Sequence, residues 1–191
     1  MKHLILLSCF IFLCSLRLFG QDSLKLKTNP IIFADFEFTP LVVGQNNLQL
    51  NGSLNCQVKR SLFTLRFLGL GNYDEVINTQ YTPEIKNTLY EVGLLYGLRF
   101  IHEYHSLSFS AGLSSNHWIH NVIYQGQYQQ TDSWYAGLPF EADYIWFKTK
   151  TRKNKPTGYG GSIGLKLSGT VSEHSFVSFG VVFGFGFLRH S

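Results

Sequence analysis

The chain has 191 residues, with 16 Lys and Arg against 12 Asp and Glu, a formal charge of +4. Charged residues make up 15%, hydrophobic ones 45% and aromatic ones 16%, where an ordinary soluble domain is roughly 25% charged. This excludes a disordered chain, a coiled coil and a collagen-like chain, and so small a net charge gives no reason to expect nucleic acid as a partner.

Residues 1–20 read as an address. Met1, Lys2 and His3 make a short basic start, and Leu4 to Leu13 is almost entirely apolar. A run of about ten residues is too short to cross a bilayer and suits the core of a secretory signal. Gly20 supplies a small residue before a cut, and Gln21 opens a polar stretch. We expect a signal peptide over 1–20 and a single domain over 21–191. The cut removes Lys2 and Arg17 and leaves a charge of +2, with Cys56 as the remaining cysteine. No later apolar run approaches the roughly 18 residues of a transmembrane helix.

The rest of the chain alternates with period two, the signature of two-faced strands. Eight segments are expected, over 31–38, 48–59, 62–70, 88–100, 107–118, 133–147, 158–170 and 177–187. In chain order their apolar faces begin with Ala34, Phe36 and Phe38, then Leu48, Leu50, Leu54 and Val58, then Phe63, Leu65 and Phe67. Tyr90 to Phe100, Leu107 to Leu113, Leu138 to Trp146 and Tyr159 to Leu167 continue the pattern in steps of two. The last segment is the clearest. Val177, Phe179, Val181, Phe183, Phe185 and Phe187 share one face, and Ser178, Gly180, Val182, Gly184 and Gly186 the other. A helix would scatter that set around its circumference. Connections alternate between tight ones, such as Lys59-Arg60-Ser61, and long polar ones over 71–87 and 119–132. Two fit this asymmetry less well, Thr149 to Thr157 and Val171 to Ser175.

Volume decides which face is inside. An eight-stranded barrel has an interior only just wide enough to be filled by side chains. The aromatic and aliphatic faces would not fit there, whereas the Gly, Ser, Asn and charged faces would. Charge agrees. The non-apolar parity carries Asp35, Glu37, Lys59, Arg66, Glu91, Arg99, Glu141, Asp143 and Lys166, five acids and four bases. A near-balanced set can be paired and buried, while a cation at the lipid midplane costs about 2–4 kcal/mol. Leu95 and Val182 are mid-strand apolar residues on the charged parity, expected to pack inside. With the N-terminus and the short turns on one side, Phe63, Phe100, Tyr144, Trp146, Tyr159 and Phe187 form an outward aromatic girdle near that side. Trp118, Trp134, Phe36 and Phe38 are expected as rings toward the other end. The fold class is therefore all-β, a closed antiparallel eight-stranded transmembrane barrel, and closure removes the sheet edge.

On these residues the chain resembles the small OmpA/OmpX-type eight-stranded outer-membrane barrels of Gram-negative bacteria. The likeness runs over about 31–187 and includes the aromatic-rich end Phe179-x-x-x-Phe183-x-Phe185-x-Phe187. That end is similar to the signal read by barrel-insertion machinery, although this chain adds Leu188-Arg189-His190-Ser191 after it. The resemblance implies an outer-membrane location. It also implies contact with outer-membrane lipid and lipopolysaccharide, and passage through periplasmic chaperones and the insertion machinery. A structural or surface-interaction role is expected, with the lumen plugged by the network Asp35, Glu37, Arg66, Glu91, Arg99, Glu141, Asp143 and Lys166.

Other chemistry is weakly signalled. His102-Glu103-Tyr104-His105 has the wrong spacing for a zinc helix, and no metal or cofactor is assigned. Ser114, Ser115, His117 and Asp132 cluster near the outer ends of the fifth and sixth segments. A hydrolase needs a hydroxyl within reach of an imidazole oriented by an acid. The order Ser-Ser-Asn-His does not match the pattern expected of barrel enzymes that deacylate lipid A, and no catalytic residue is assigned. His174-Ser175 is a looser pair of the same kind. Lys148, Lys150, Arg152, Lys153 and Lys155 form the densest basic run, read as a solvated turn. Three alternatives remain: a secreted lipocalin-like barrel with its apolar faces turned inward, the lipid A deacylase, and a small pore.

Overall fold

Residues 30–42, 47–73, 85–124, 127–152 and 155–187 are described in the computed structural model. The expected signal peptide over 1–20 lies outside the described residues. Eight strands follow one another: β1 (Ile31–Val42), β2 (Asn47–Val58), β3 (Ser61–Tyr73), β4 (Ile85–His102), β5 (His105–Tyr124), β6 (Gln127–Arg152), β7 (Lys155–Val171) and β8 (Phe176–Phe187). Each pairs antiparallel with the next, and β1 pairs with β8, so the sheet closes on itself. Closure gives every strand two neighbours and leaves no edge around the wall. At the seam β8 comes close to β1. Gly186 has φ +135, and a Cβ there would lie 2.8 Å from the Cα of Phe33, so only glycine fits.

Alternation places the side chains as expected. Phe36, Phe63, Leu94, Leu113, Phe183 and Phe185 are exposed on the outer face, and Leu113 is 70% exposed. Leu95 and Val182 are buried inside. The apolar faces point outward, so a ligand-carrying barrel with an apolar inside does not describe this chain.

Three details differ from expectation. The connection read over 119–132 is largely strand, because β5 runs to Tyr124 and β6 starts at Gln127. The Thr149–Thr157 connection is likewise a hairpin, with Arg152 paired to Lys155. Beyond an apolar band both faces of a strand can be polar, so alternation fades while the ladder continues. Lys59 does not belong to the interior set. It sits exposed in the two-residue turn between Val58 and Ser61, at φ 57.

The interior also holds more hydrocarbon than expected. Ile31, Phe33, Leu62, Ile145, Phe147 and Val182 form one buried cluster, with Ile101 against it, at the short-turn end. Leu68, Leu70, Leu89 and Phe176 form another at the opposite end, with Trp118 and Tyr135 against it. Trp118 therefore belongs to the inner parity, not to an outward ring. Its indole stacks on His174 of the β7–β8 turn at 4.2 Å.

Candidate functional site: a charged waist and an outer aromatic row

Between the two apolar clusters lies a charged waist. Its buried ionisable groups are Asp35, Glu37, Glu91, Glu141 and Asp143 against Arg66, Arg99 and Lys166. Without Lys59 the set carries two more acids than bases. Arg66 on β3 is fully buried and reaches three other strands. It pairs with Glu91 of β4, with Nε 2.8 Å from Oε1. It also lies 3.5 Å from Glu141 Oε1 of β6 and donates to Thr170 Oγ1 of β7 at 2.7 Å. Thr170 donates to the other oxygen of Glu91 at 2.5 Å. The Asn116 amide fits best with its nitrogen donating to Glu91 Oε2 at 2.9 Å and its oxygen accepting from Ser114.

Lys166 bridges Glu141 and Asp143, with Nζ 3.4 Å from Oε2 and 3.5 Å from Oδ1. Ser108 donates to the second oxygen of Asp143 at 3.1 Å. Glu37 is held by neutral donors: Thr39 at 2.7 Å, Asn51 at 2.9 Å and Ser168 at 3.2 Å. Asp35 accepts from Asn55 at 2.6 Å, and its other oxygen has no protein donor. Arg99 differs from the other cations. It donates to Ser106 and Gln57 at 3.1–3.2 Å and lies over the Phe33 ring, 4.3 Å from its centroid. It thus joins the waist to the apolar cluster below. Sequence parity identified these eight residues but not their partners, which depend on register around the closed wall. It flagged Val182 but passed over the other members of the apolar clusters, although they share the charged parity.

The outer face has its own features. Phe63, Phe100 and Trp146 are exposed near the short turns, and Tyr144 packs edge-on against Trp146 at 4.6 Å. The side chains of Tyr159 and Phe187 lie outside the described residues; their backbones pair with each other. Toward the other end, Tyr90, His117 and Trp134 sit side by side on β4, β5 and β6. His117 Nε2 lies 3.3 Å from Asp132 Oδ2. The hydroxyl candidates separate: Ser114 is buried inside, Ser115 is exposed outside. Among the described residues no hydrogen bond joins Ser115 to His117. Ser175 bonds to Ser172 instead, and His174 stacks on Trp118. His102 and His105 flank a tight turn with rings 5.1 Å apart. Among the described residues no group of three or more His, Cys, Asp or Glu converges on a common point.

No protein-family model matches the chain, and no curated protein matches it. Among solved structures it is similar to the N-terminal β-barrel domain of Pseudomonas aeruginosa OprF, at TM-score 0.53 and 15% identity, over 84% of this chain and 98% of that one. At that identity the likeness is one of fold, and the fold is a closed eight-stranded antiparallel barrel.

Proposed function

We propose that this protein is exported by residues 1–20 and resides in an outer membrane as an eight-stranded barrel with a structural or surface-interaction role. The observation that carries this is the outer wall. Phe36, Phe67, Leu94, Leu113, Leu138 and Phe183 are exposed to a degree no water-facing barrel surface would tolerate, while the ionisable side chains of the waist are buried. In lipid the cost reverses: hydrocarbon outside is favourable, and charge must be enclosed and paired. Phe63, Phe100 and Trp146 then sit at one interface and Trp134 at the other. Outer-membrane lipid and lipopolysaccharide surround the wall, and periplasmic chaperones and the insertion machinery deliver it.

On this reading the lumen is plugged. The charged waist lies between two apolar clusters, which leaves an ion no continuous polar path. Interaction falls to the β5–β6 hairpin. β5 has 20 residues and β6 has 26, against 12 for β1, and about 9–11 suffice to span a bilayer. Among the described residues, β6 from Gln127 to Gly137 pairs with β5 alone. It offers a strand edge to an extended partner segment.

The test is gel mobility of unboiled against boiled protein from isolated outer membranes. A heat-dependent shift is expected, because a folded barrel resists detergent. Soluble protein without a shift overturns the reading. Steady single-channel conductance in a planar bilayer would overturn the plugged lumen alone.

A second reading, a lipid-acting hydrolase, draws on one contact. His117 meets Asp132, and Ser115 lies two residues away on the same outer face. It predicts that Ser115→Ala changes the lipid A profile. An unchanged profile leaves the non-enzymatic reading.

A further inference from the structure

The outer row near the β5–β6 hairpin sets a histidine and a carboxylate beside the interface ring of Trp134. The imidazole of His117 lies flat on the Trp134 indole, with centroids 4.3 Å and planes 9° apart. Asp132 holds the edge of the same imidazole. Trp134 is 68% exposed, so the stack keeps an open face. Tyr90 extends the row on the other side of His117. In the row below stand two small exposed residues, Ser115 and Ala136, paired with each other. Both side chains are short beside the rings above them, and exposed Leu113 begins the apolar wall beneath.

We propose that this aromatic row binds the sugar headgroup of a membrane glycolipid. The sugar ring lies on the indole face away from His117, the Asp132 carboxylate accepts its hydroxyl protons, and the acyl chain descends past Ser115 and Ala136. Three properties select this partner. The C–H face of a pyranose matches a flat electron-rich ring. A carboxylate accepts hydroxyl protons but repels a phosphate, and among the described side chains no Lys or Arg on this row offsets it. The surface turns from polar aromatic to aliphatic within one register step, which suits a headgroup at the aromatic row with its acyl chain on the wall below. The proposal rests on the membrane reading.

The experiment uses the full folded chain in an amine-oxide detergent, titrated calorimetrically with a glucosyl diacylglycerol. Phosphatidic acid with the same acyl chains and free glucose are the comparisons. Saturable binding of the glucosyl lipid is expected, with Trp134→Leu weakening it about tenfold and Asp132→Asn weakening it severalfold. Both positions are exposed, so neither change threatens folding. Equal binding of phosphatidic acid, equal binding of free glucose, or full affinity in Trp134→Leu overturns the proposal. The gel shift of the same samples separates the two ideas. A preserved shift without sugar binding sinks the platform alone, and a lost shift in the unaltered chain sinks the membrane reading with it.

Discussion

The charged waist and the apolar clusters above and below it fill the same lumen by opposite physics. Waist contacts are directional and join strands far apart in the chain. Ser168 reaches Glu37 across 131 residues, and Arg66 reaches Thr170 across 104. Each donor accepts one geometry, so the waist distinguishes the native register from a slipped one. A slip by one residue would bring hydrocarbon into the waist and turn its charges into lipid. The clusters are not directional. Ile145, Phe147 and Leu62 need only fill space and exclude water. Specificity therefore sits in the middle of the lumen, and the ends keep it dry.

The sharpest break of this comparison is Arg66→Leu. It leaves Glu91 buried with only neutral donors and removes one of the two cations beside Glu141. We expect a loss of about 3–5 kcal/mol, the cost of an unpaired buried charge. Urea unfolding of the barrel refolded into vesicles, read by the gel shift, measures it. Adding Glu91→Leu should recover part of the loss, because the pair is worth less than the penalty of breaking it.

Next in size is a charge placed on the outer face. Leu113→Arg should cost about 2–4 kcal/mol in vesicles if Leu113 lies near the lipid midplane. The same change on a water-facing wall would cost almost nothing, and an unchanged urea midpoint would therefore count against a membrane position. Ile145→Val comes third. It removes one methylene from the lower cluster, for about 0.5–1.5 kcal/mol, in the same assay. A larger loss there than at Arg66 would reverse the comparison.

Much of this architecture was legible because period two survives wherever one face meets hydrocarbon. Asp35, Glu37, Glu91 and Lys166 could be placed inside by parity alone. What parity could not supply was partnership. Nothing local ties Thr170 to Arg66; the closed register does. The ends of β5 and β6 escape the pattern because Gln130, Thr131 and Asp132 are polar on both faces, and alternation disappears once water lies on each side. The apolar clusters were passed over for the converse reason. Phe33 and Leu62 share a parity with charges, and an apolar residue on a polar face reads as an exception until several such residues meet.

Lys59 gives the smallest effect and the cleanest contrast with Arg66. Parity counted it among the interior cations. A buried cation in a set with surplus acids would be costly to remove, and Lys59→Gly would then destabilise the barrel by several kcal/mol, about as much as Arg66→Leu. The turn predicts the opposite sign. At φ 57 a side chain with a Cβ is held in the left-handed region, which costs roughly 1 kcal/mol relative to glycine. Lys59 is exposed and makes no buried pair, so nothing in the waist depends on its charge. Replacement by glycine relieves the backbone and loses some of that gain to the greater freedom of the unfolded chain. The net expectation is a gain of a few tenths to about 1 kcal/mol, seen as a higher urea midpoint with the gel shift intact. A fall in that midpoint would return Lys59 to the interior and restore the near balance of acids and bases that parity first implied.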